Sequence, residues 1–389
     1  MMAYSSRLRL AKKPFGSSMS KAFSVMLGLL LSITAAQAEP IQERTIQKLL
    51  DDYIEQEELP GGVLLVSMPG QRILVVSGVA DMRSKSPVLP DSRFYVASVG
   101  KMATATATLQ LIEEGKLAEG AAVVTLVGNL PHIEKLPNVR TAKLSQLLDH
   151  SSGIPDYLTD EFAQYYHANT KRLTPAIVLP FAFGETATGR PGAAYEYSNS
   201  NYVLLGEIMA HAEGMSFENV MQERVLDRAG MSETTIGAKA GNSKLARGYA
   251  DLDDGAGLLD VSQSAWNSPL GDGPLVTTAG DLERFVFALF KDGLLLNPSS
   301  LARMTRPSAH ESAYGMGVQL GKTRWGRWVG HDGMEDGFEA EVRYYPDHQA
   351  AIIFMTNGNT ITDERITDKT AIALSKARKS EKDPSRRRR

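Results

Sequence analysis

The sequence contains no cysteine. Disulfides, thiolate metal sites and a cysteine nucleophile are therefore excluded. Compartment is not, because a chain with a large core can be exported without disulfides. Strong charge of one sign is also missing: 42 Lys and Arg stand against 45 Asp and Glu, a net charge of -3. With no basic stripe along any helix, this argues against a nucleic-acid partner. The seven histidines show no H-E-x-x-H or comparable ligand spacing, which disfavours a metallohydrolase. No G-x-S-x-G elbow of an α/β-hydrolase occurs, and no internal repeat of solenoid period. What is present is ordinary globular composition, 43% apolar and 22% charged over 389 residues. That suffices for one large domain or two compact subdomains.

The ends of the chain differ from its middle. Arg7, Arg9, Lys12, Lys13 and Lys21 precede an uncharged, mostly apolar run from Ala22 to Ala35. Ala36-Gln37-Ala38 follows, with small residues where a signal peptidase reads. This order predicts a secretory signal peptide over 1–38 and a mature chain beginning near Glu39. The run is shorter than the ~20 apolar residues of a transmembrane helix. The protein is thus expected to be periplasmic or secreted, with no stable membrane span after cleavage. Translation from Met1 or from Met19 fits equally. At the other end, 375–389 (SKARKSEKDPSRRRR) is charged and lacks large apolar residues, which predicts a disordered basic tail.

Between these ends, Ile46, Leu49, Leu50, Tyr53 and Ile54 fall at helical spacing, and Pro60-Gly61-Gly62 stops that helix. Gly62 to Met68 and Arg72 to Ala80 read as strands joined at Pro69-Gly70. A buried helix is expected over Ser98 to Glu114, with further helices at Leu144–His150, Tyr202–Ala212 and Asp281–Phe290. Strands then return at Tyr314–Leu320, Arg327–Gly330, Phe338–Tyr345 and Ala350–Thr356, with turns near Gly333 and at Pro346-Asp347. A last helix begins near Asp363. Strands at both ends around a helical middle predict an α+β fold, one antiparallel sheet built from both termini. The sheet part is expected at about 39–96 and 275–374, the helical insertion at about 97–274.

Three short motifs carry chemistry. In Ser98-Val99-Gly100-Lys101, Lys101 is the only charged residue between Phe94 and Ile112. Ser98 and Lys101 share a helix face, so a desolvated lysine can activate the serine as a nucleophile. The alternative is a capping serine and a snorkelling lysine. In Tyr197-Ser198-Asn199, the tyrosine can relay a proton and the asparagine can hold a substrate amide and hydrogen-bond the lysine. The alternative there is an ordinary aromatic loop. In Gly330-His331-Asp332-Gly333-Met334, glycine permits close backbone approach. The Met334 amide can pair with that of Ser98 as an oxyanion hole, and His331 can donate near the leaving group. The alternative is a tight Asp-Gly turn with a surface histidine.

Taken in this order, S-x-x-K, Y-x-N and H-x-G, the motifs resemble the penicillin-recognising serine hydrolases. Class A relatives carry S-D-N as their second motif; the tyrosine version resembles the class C β-lactamase, D-alanyl-D-alanine carboxypeptidase, D-aminopeptidase and esterase branch. Leu147 to Pro155, Pro191-Gly192, Gly273 to Leu282 and Asp336-Gly337-Phe338 are similar to other stretches of that family, so the resemblance spans roughly 43–360. It implies Ser98 as nucleophile, Lys101 as its activating partner and Tyr197 as general base and later acid. It implies substrate binding by Asn199, His331, Gly333 and Met334, with His150 and Ser151 structural, and no metal or cofactor. The implied partner is a small peptide, amide or ester, with peptidoglycan-derived D-residue peptides or amides in front. A small-ester esterase, a β-lactamase and a catalytically inactive muropeptide-binding homologue are the alternatives. His331 and Asp332 depart from the lysine and hydroxyl of K-T-G. A carboxylate at 332 facing the cleft would repel an anionic substrate, which counts against efficient β-lactamase activity; side-chain alternation along a strand leaves its direction open.

Overall fold

The computed structural model describes residues 41–169, 172–237, 244–251, 257–262, 269–273, 275–359 and 364–381. The signal segment expected over 1–38 lies outside them. The chain opens with helix α1 (Glu43–Gln56), whose buried stripe is Ile46, Leu50, Tyr53 and Ile54. Strands β1 (Gly61–Met68) and β2 (Gln71–Asp81) follow as a hairpin, with a two-residue strand β3 (Ser86–Pro87) at its edge. A 3₁₀ turn over Ala97–Val99 leads into helix α2 (Gly100–Glu113). Short helices and loops connect this to α3 (Asn199–Glu213) and α4 (Ala279–Phe290). The sheet resumes with β4 (Gln319–Lys322), β5 (Arg327–Glu335), β6 (Phe338–Tyr345) and β7 (Ala350–Thr356), and α5 (Ile366–Glu381) closes the fold.

The seven strands form one antiparallel sheet in the order β3-β2-β1-β7-β6-β5-β4. The termini meet in its centre, where β1 pairs with β7 in the register Gly62↔Thr356 to Ser67↔Ala351. The α+β layout with a sheet from both ends of the chain is therefore the observed one. Both central strands are buried on both faces, so each reads as a continuous apolar run. Alternation still divides them: Val63, Leu65, Ile353 and Met355 join the large core under α2 and α4. Leu64, Val66, Ile352 and Phe354 join the smaller core under α1 and α5. The middle of the chain adds short strand pairs of its own, Tyr95 against Val276 and Tyr249 against Asp260.

Three local expectations are corrected. The turn expected near Gly333 lies at Asp336-Gly337, where Gly337 takes φ +81, and β5 runs unbroken to Glu335. Gly333 is extended and serves a close approach described below. The strand expected over Tyr314–Leu320 shrinks to a single bridge from Tyr314 to Gln319, with β4 starting at Gln319. Gly317, at φ +70, tucks against α2, where a Cβ would stand 2.6 Å from that of Ala105. The tail expected to be disordered from 375 is helical as far as Glu381, because Lys, Arg, Ala and Glu are favourable helix formers even without an apolar face. The rest of that tail, 382–389, lies outside the described residues.

Candidate active site

Ser98 sits at the entrance to α2, on the 3₁₀ turn that precedes it. Ala97, immediately before, holds φ +44, a left-handed conformation that a residue with a Cβ seldom takes. It is itself buried, so packing fixes the bend. Every residue from Gly100 to Leu111 is buried, Lys101 fully at 0% exposure. An amine withdrawn from water must find partners, and this one finds three. Its Nζ donates to Ser98 Oγ (2.9 Å), Asn199 Oδ1 (2.7 Å) and the Asp272 carbonyl (2.7 Å). Three acceptors match the three hydrogens of an ammonium group. The snorkelling alternative for Lys101 is thereby ruled out.

Tyr197 lies on the other side of the serine and donates to Ser98 Oγ at 3.0 Å. The Lys101 ammonium stands 5.1 Å from the centre of its ring. Asn199, the first residue of α3, faces Lys101 through its carbonyl and donates its Nδ2 to Asp156 Oδ2 (2.9 Å). Its backbone N–H donates to the same oxygen (3.1 Å). Asn199 thus ties the lysine to Asp156, with one of its two amide hydrogens committed within the protein.

A shell of rings packs behind Tyr197. His150 is fully buried, and its ring tilts against that of Tyr197 with centroids 4.3 Å apart. Its Nδ1 accepts from the Ser198 backbone N–H (3.2 Å), and its Nε2 meets the Tyr314 hydroxyl (3.2 Å). Burial, then the Lys101 charge, holds its pKa well below the usual imidazole value. Ser151 is turned elsewhere, donating to Asp149 (2.6 Å).

β5 forms the facing wall. Gly333 presses onto the backbone of the turn that carries Ser98: a Cβ there would lie 2.2 Å from the Val96 carbonyl and 2.9 Å from Ser98 N. Only glycine allows so close an approach. β4 pairs with β5 as far as Gly330↔Gln319, which leaves the rest of that edge of β5 open. The Asp332 N–H donates along this edge to the Gln319 side chain (3.1 Å). Strand alternation turns the Met334 N–H to the same open edge, and the Met334 side chain is 51% exposed at the mouth of the cavity.

His331 is no surface residue. At 1% exposure it points inward, its Nε2 hydrogen-bonded to the Tyr314 hydroxyl (3.0 Å). Burial first and the Lys101 charge second push its pKa down to about 4, so the ring is neutral at neutral pH. Asp332 points to the opposite face of the sheet. There it forms an ion pair with Arg343, whose side chain is 3% exposed, at 2.5 Å, with Arg365 4.0 Å away. The anion repulsion expected for a carboxylate facing the cleft does not arise. Asp332→Ala should instead act on stability, lowering it by about 2 kcal/mol in denaturant melts. That is below the roughly 3–5 kcal/mol for stripping a buried charge of its partner, because Glu341 still faces Arg343. A melt unchanged within error would contradict this assignment.

The sequence reading did not single out Asp156, Asp272, Tyr314 or Glu335. Asp156 directly follows the Leu147 to Pro155 stretch, and Asp272 precedes the Gly273 to Leu282 stretch. Both lay one residue beyond a recognised pattern. Glu335 likewise lies one residue past the Gly330 to Met334 motif; Tyr314 carries no local signal, and only folding brings it to the site.

The sequence model of the Beta-lactamase family matches residues 46–377, and the chain belongs to that family: it is a beta-lactamase-family serine hydrolase. It is 26% identical over 346 residues to penicillin-binding protein 4* of Bacillus subtilis, covering 83% of this chain and 73% of that one. It is 24% identical over 310 residues to a D-aminopeptidase of Brucella anthropi, covering 77% of this chain and 56% of the relative. Among solved structures, D-amino acid amidase from Ochrobactrum anthropi SV3, complexed with L-phenylalanine amide, superposes with a TM-score of 0.73 at 26% identity. That match covers 87% of this chain and 99% of the amidase.

Proposed function

We propose that the protein hydrolyses amide or peptide bonds of D-residue substrates through an acyl-enzyme on Ser98, and that it does so outside the cytoplasm. The observation that carries this reading is the double contact on one oxygen: Lys101 Nζ at 2.9 Å and the Tyr197 hydroxyl at 3.0 Å from Ser98 Oγ. A serine that only capped α2 would bond to the helix's own amides; here no side chain caps α2 or the turn before it. A catalytically inactive binding homologue has no use for this constellation. The relatives named for D-residue chemistry support the substrate class. The amino-terminal pattern over residues 1–38 supports export.

In this reading Ser98 Oγ attacks the carbonyl carbon as its proton passes to the Tyr197 oxygen, and the hydrogen that the Tyr197 hydroxyl already carries passes on to the substrate's leaving nitrogen. The Lys101 ammonium beside both oxygens stabilises the negative charge while it moves. The amides of Ser98 and Met334 receive the oxyanion, Gly333 having let the two backbones close together. The C–N bond breaks and the nitrogen, protonated through Tyr197, leaves as an amine, with the Tyr197 hydroxyl restored by the Ser98 proton. Water enters, loses a proton by the same route and releases the acid from Ser98. Asn199 and neutral His331 act on the geometry, Asn199 by holding Lys101 and His331 by fixing the third wall. Asn199 also borders the substrate cavity.

Intact mass spectrometry of residues 39–389 with D-amino acid amides and with a penicillin tests this reading. A transient acyl adduct should form, map to the peptide containing Ser98 and be absent from Ser98→Ala. An adduct on another residue, or one surviving in Ser98→Ala, would sink it.

A further inference from the structure

The cavity in front of Ser98 has a volume of about 660 Å³. Glu57, Glu58, Asp251, Asp272, Glu335 and Asp336 border it, and no Lys, Arg or His does so among the described residues. The cations that stand close by are spoken for. Lys101 gives its three hydrogens to Ser98, Asn199 and the Asp272 carbonyl. His331 is neutral and turned towards Tyr314. Arg343 lies behind the sheet with Asp332. Among the described residues, the wall that a substrate meets on approaching Ser98 is therefore rich in carboxyl groups and offers no uncommitted cation to an anionic group.

Glu335 is the carboxylate best placed to use this. It follows Met334 at the end of β5, next to the nucleophile. Its side chain takes no hydrogen bond and forms no ion pair among the described residues. Its Oε1 lies 3.2 Å from the position a Cβ on Gly273 would occupy, and the Ala97 carbonyl oxygen lies 3.3 Å from the same point. The missing side chain at Gly273 thus leaves a small space, opening on the cavity, with two oxygen acceptors on its border. Burial, then the charge of Asp272, pushes the Glu335 carboxyl well above the ordinary carboxylate range. Asp272 is raised as well, by burial, although the Lys101 charge and the Tyr157 hydroxyl work against the rise. The Asp272 charge that opposes ionisation of Glu335 is offset when a cation binds beside Glu335.

We propose that this cavity selects substrates carrying a free, protonated amino group, received by the Glu335 carboxylate, over substrates presenting a carboxylate. The inference rests on the reading of Ser98 as an acyl-enzyme nucleophile and narrows its substrates to amino acid amides and peptides cut next to a free amino terminus. A substrate ending in a free carboxylate, penicillins included, is a poor fit to the same wall. A slow adduct with penicillin is compatible with this selectivity; rapid turnover of it is not.

The test compares D-alanine p-nitroanilide, its N-acetyl derivative and the neutral reporter p-nitrophenyl butyrate at pH 7, where most of the amine is protonated. For the wild type, kcat/KM should favour the free amine over the N-acetyl compound by tenfold or more, the scale of one charge-assisted hydrogen bond. Glu335→Gln should bring that ratio to within about threefold of unity. The ratio is internal to each protein, so partial misfolding of the variant does not imitate the effect. A wild-type ratio near one, or a ratio unchanged in Glu335→Gln, overturns the proposal. So does failure to cleave either anilide while the butyrate ester is turned over through Ser98; the serine-hydrolase reading then stands. If Ser98→Ala turns over ester and anilide as fast as the wild type, or the wild type turns over neither, both readings fall.

Discussion

Lys101→Ala should slow acylation of Ser98 by roughly 10³-fold or more, the range for removing one member of a proton-transfer unit. The lysine does three things at once. It donates to the nucleophile, holds the Asn199 carbonyl and occupies the carbonyl of Asp272. Alanine removes all three and leaves the last two oxygens buried without that donor, so a loss of stability accompanies the loss of rate. The check is the rate of adduct formation by rapid-quench mass spectrometry, with a denaturant melt to confirm that the variant is folded under assay conditions. Lys101→Arg should not rescue the rate. A planar guanidinium is longer and spreads its hydrogens in a fork, whereas the three acceptors here converge on one nitrogen. Acylation within tenfold of the wild type in a folded Lys101→Ala protein would move the task of activating Ser98 entirely to Tyr197.

Gly333→Ala is expected to cost about 10²-fold or more in acylation, from a residue that has no functional group. The added methyl would stand 2.2 Å from the Val96 carbonyl oxygen, 2.9 Å from Ser98 N and 3.0 Å from Val99 N. All three are backbone atoms, so no side chain can swing aside. β5 and the turn carrying Ser98 must separate. A misplacement of about 1 Å at a reacting centre is worth on the order of 10²-fold in rate, and forced overpacking costs about 1–3 kcal/mol of stability. Gly70 offers the contrast: it has φ +80 but nothing within 4 Å of its absent Cβ, so alanine there meets backbone strain without a clash and lies in the hairpin turn between β1 and β2. The comparison separates the two reasons for which a glycine is required. If Gly333→Ala acylates at the wild-type rate, the closeness of the two backbones is not what sets the oxyanion-binding geometry.

The order of elements, the sheet built from both ends and the three motifs were legible in the chain because each rests on local pattern. Two-residue alternation separates Val63 and Leu65 from Leu64 and Val66. A lone lysine in the apolar stretch around Ser98 stands out in any window that contains it. The relation of Ser98 to Lys101 follows from helix geometry alone. What the sequence left open was direction. Asp332 and His331 are neighbours in a strand, and alternation sends them to opposite faces. Which face meets the nucleophile was decided by Arg343 on β6 and Arg365 beside α5, about ten and thirty residues away. The same holds for Asn199, which the sequence offers to a substrate and to the lysine: its carbonyl meets Lys101, and one of its amide hydrogens goes to Asp156. It holds for Glu335 too, one residue past a recognised motif, which only the closure of β5 against the Ala97 turn and Gly273 brings to the cavity. The local pattern brought forward Ser98, Lys101 and Tyr197, and the fold then places the last two within hydrogen-bond reach of the first. The tertiary structure decided the sign of the charge around them, because that depends on which ions find partners across the sheet.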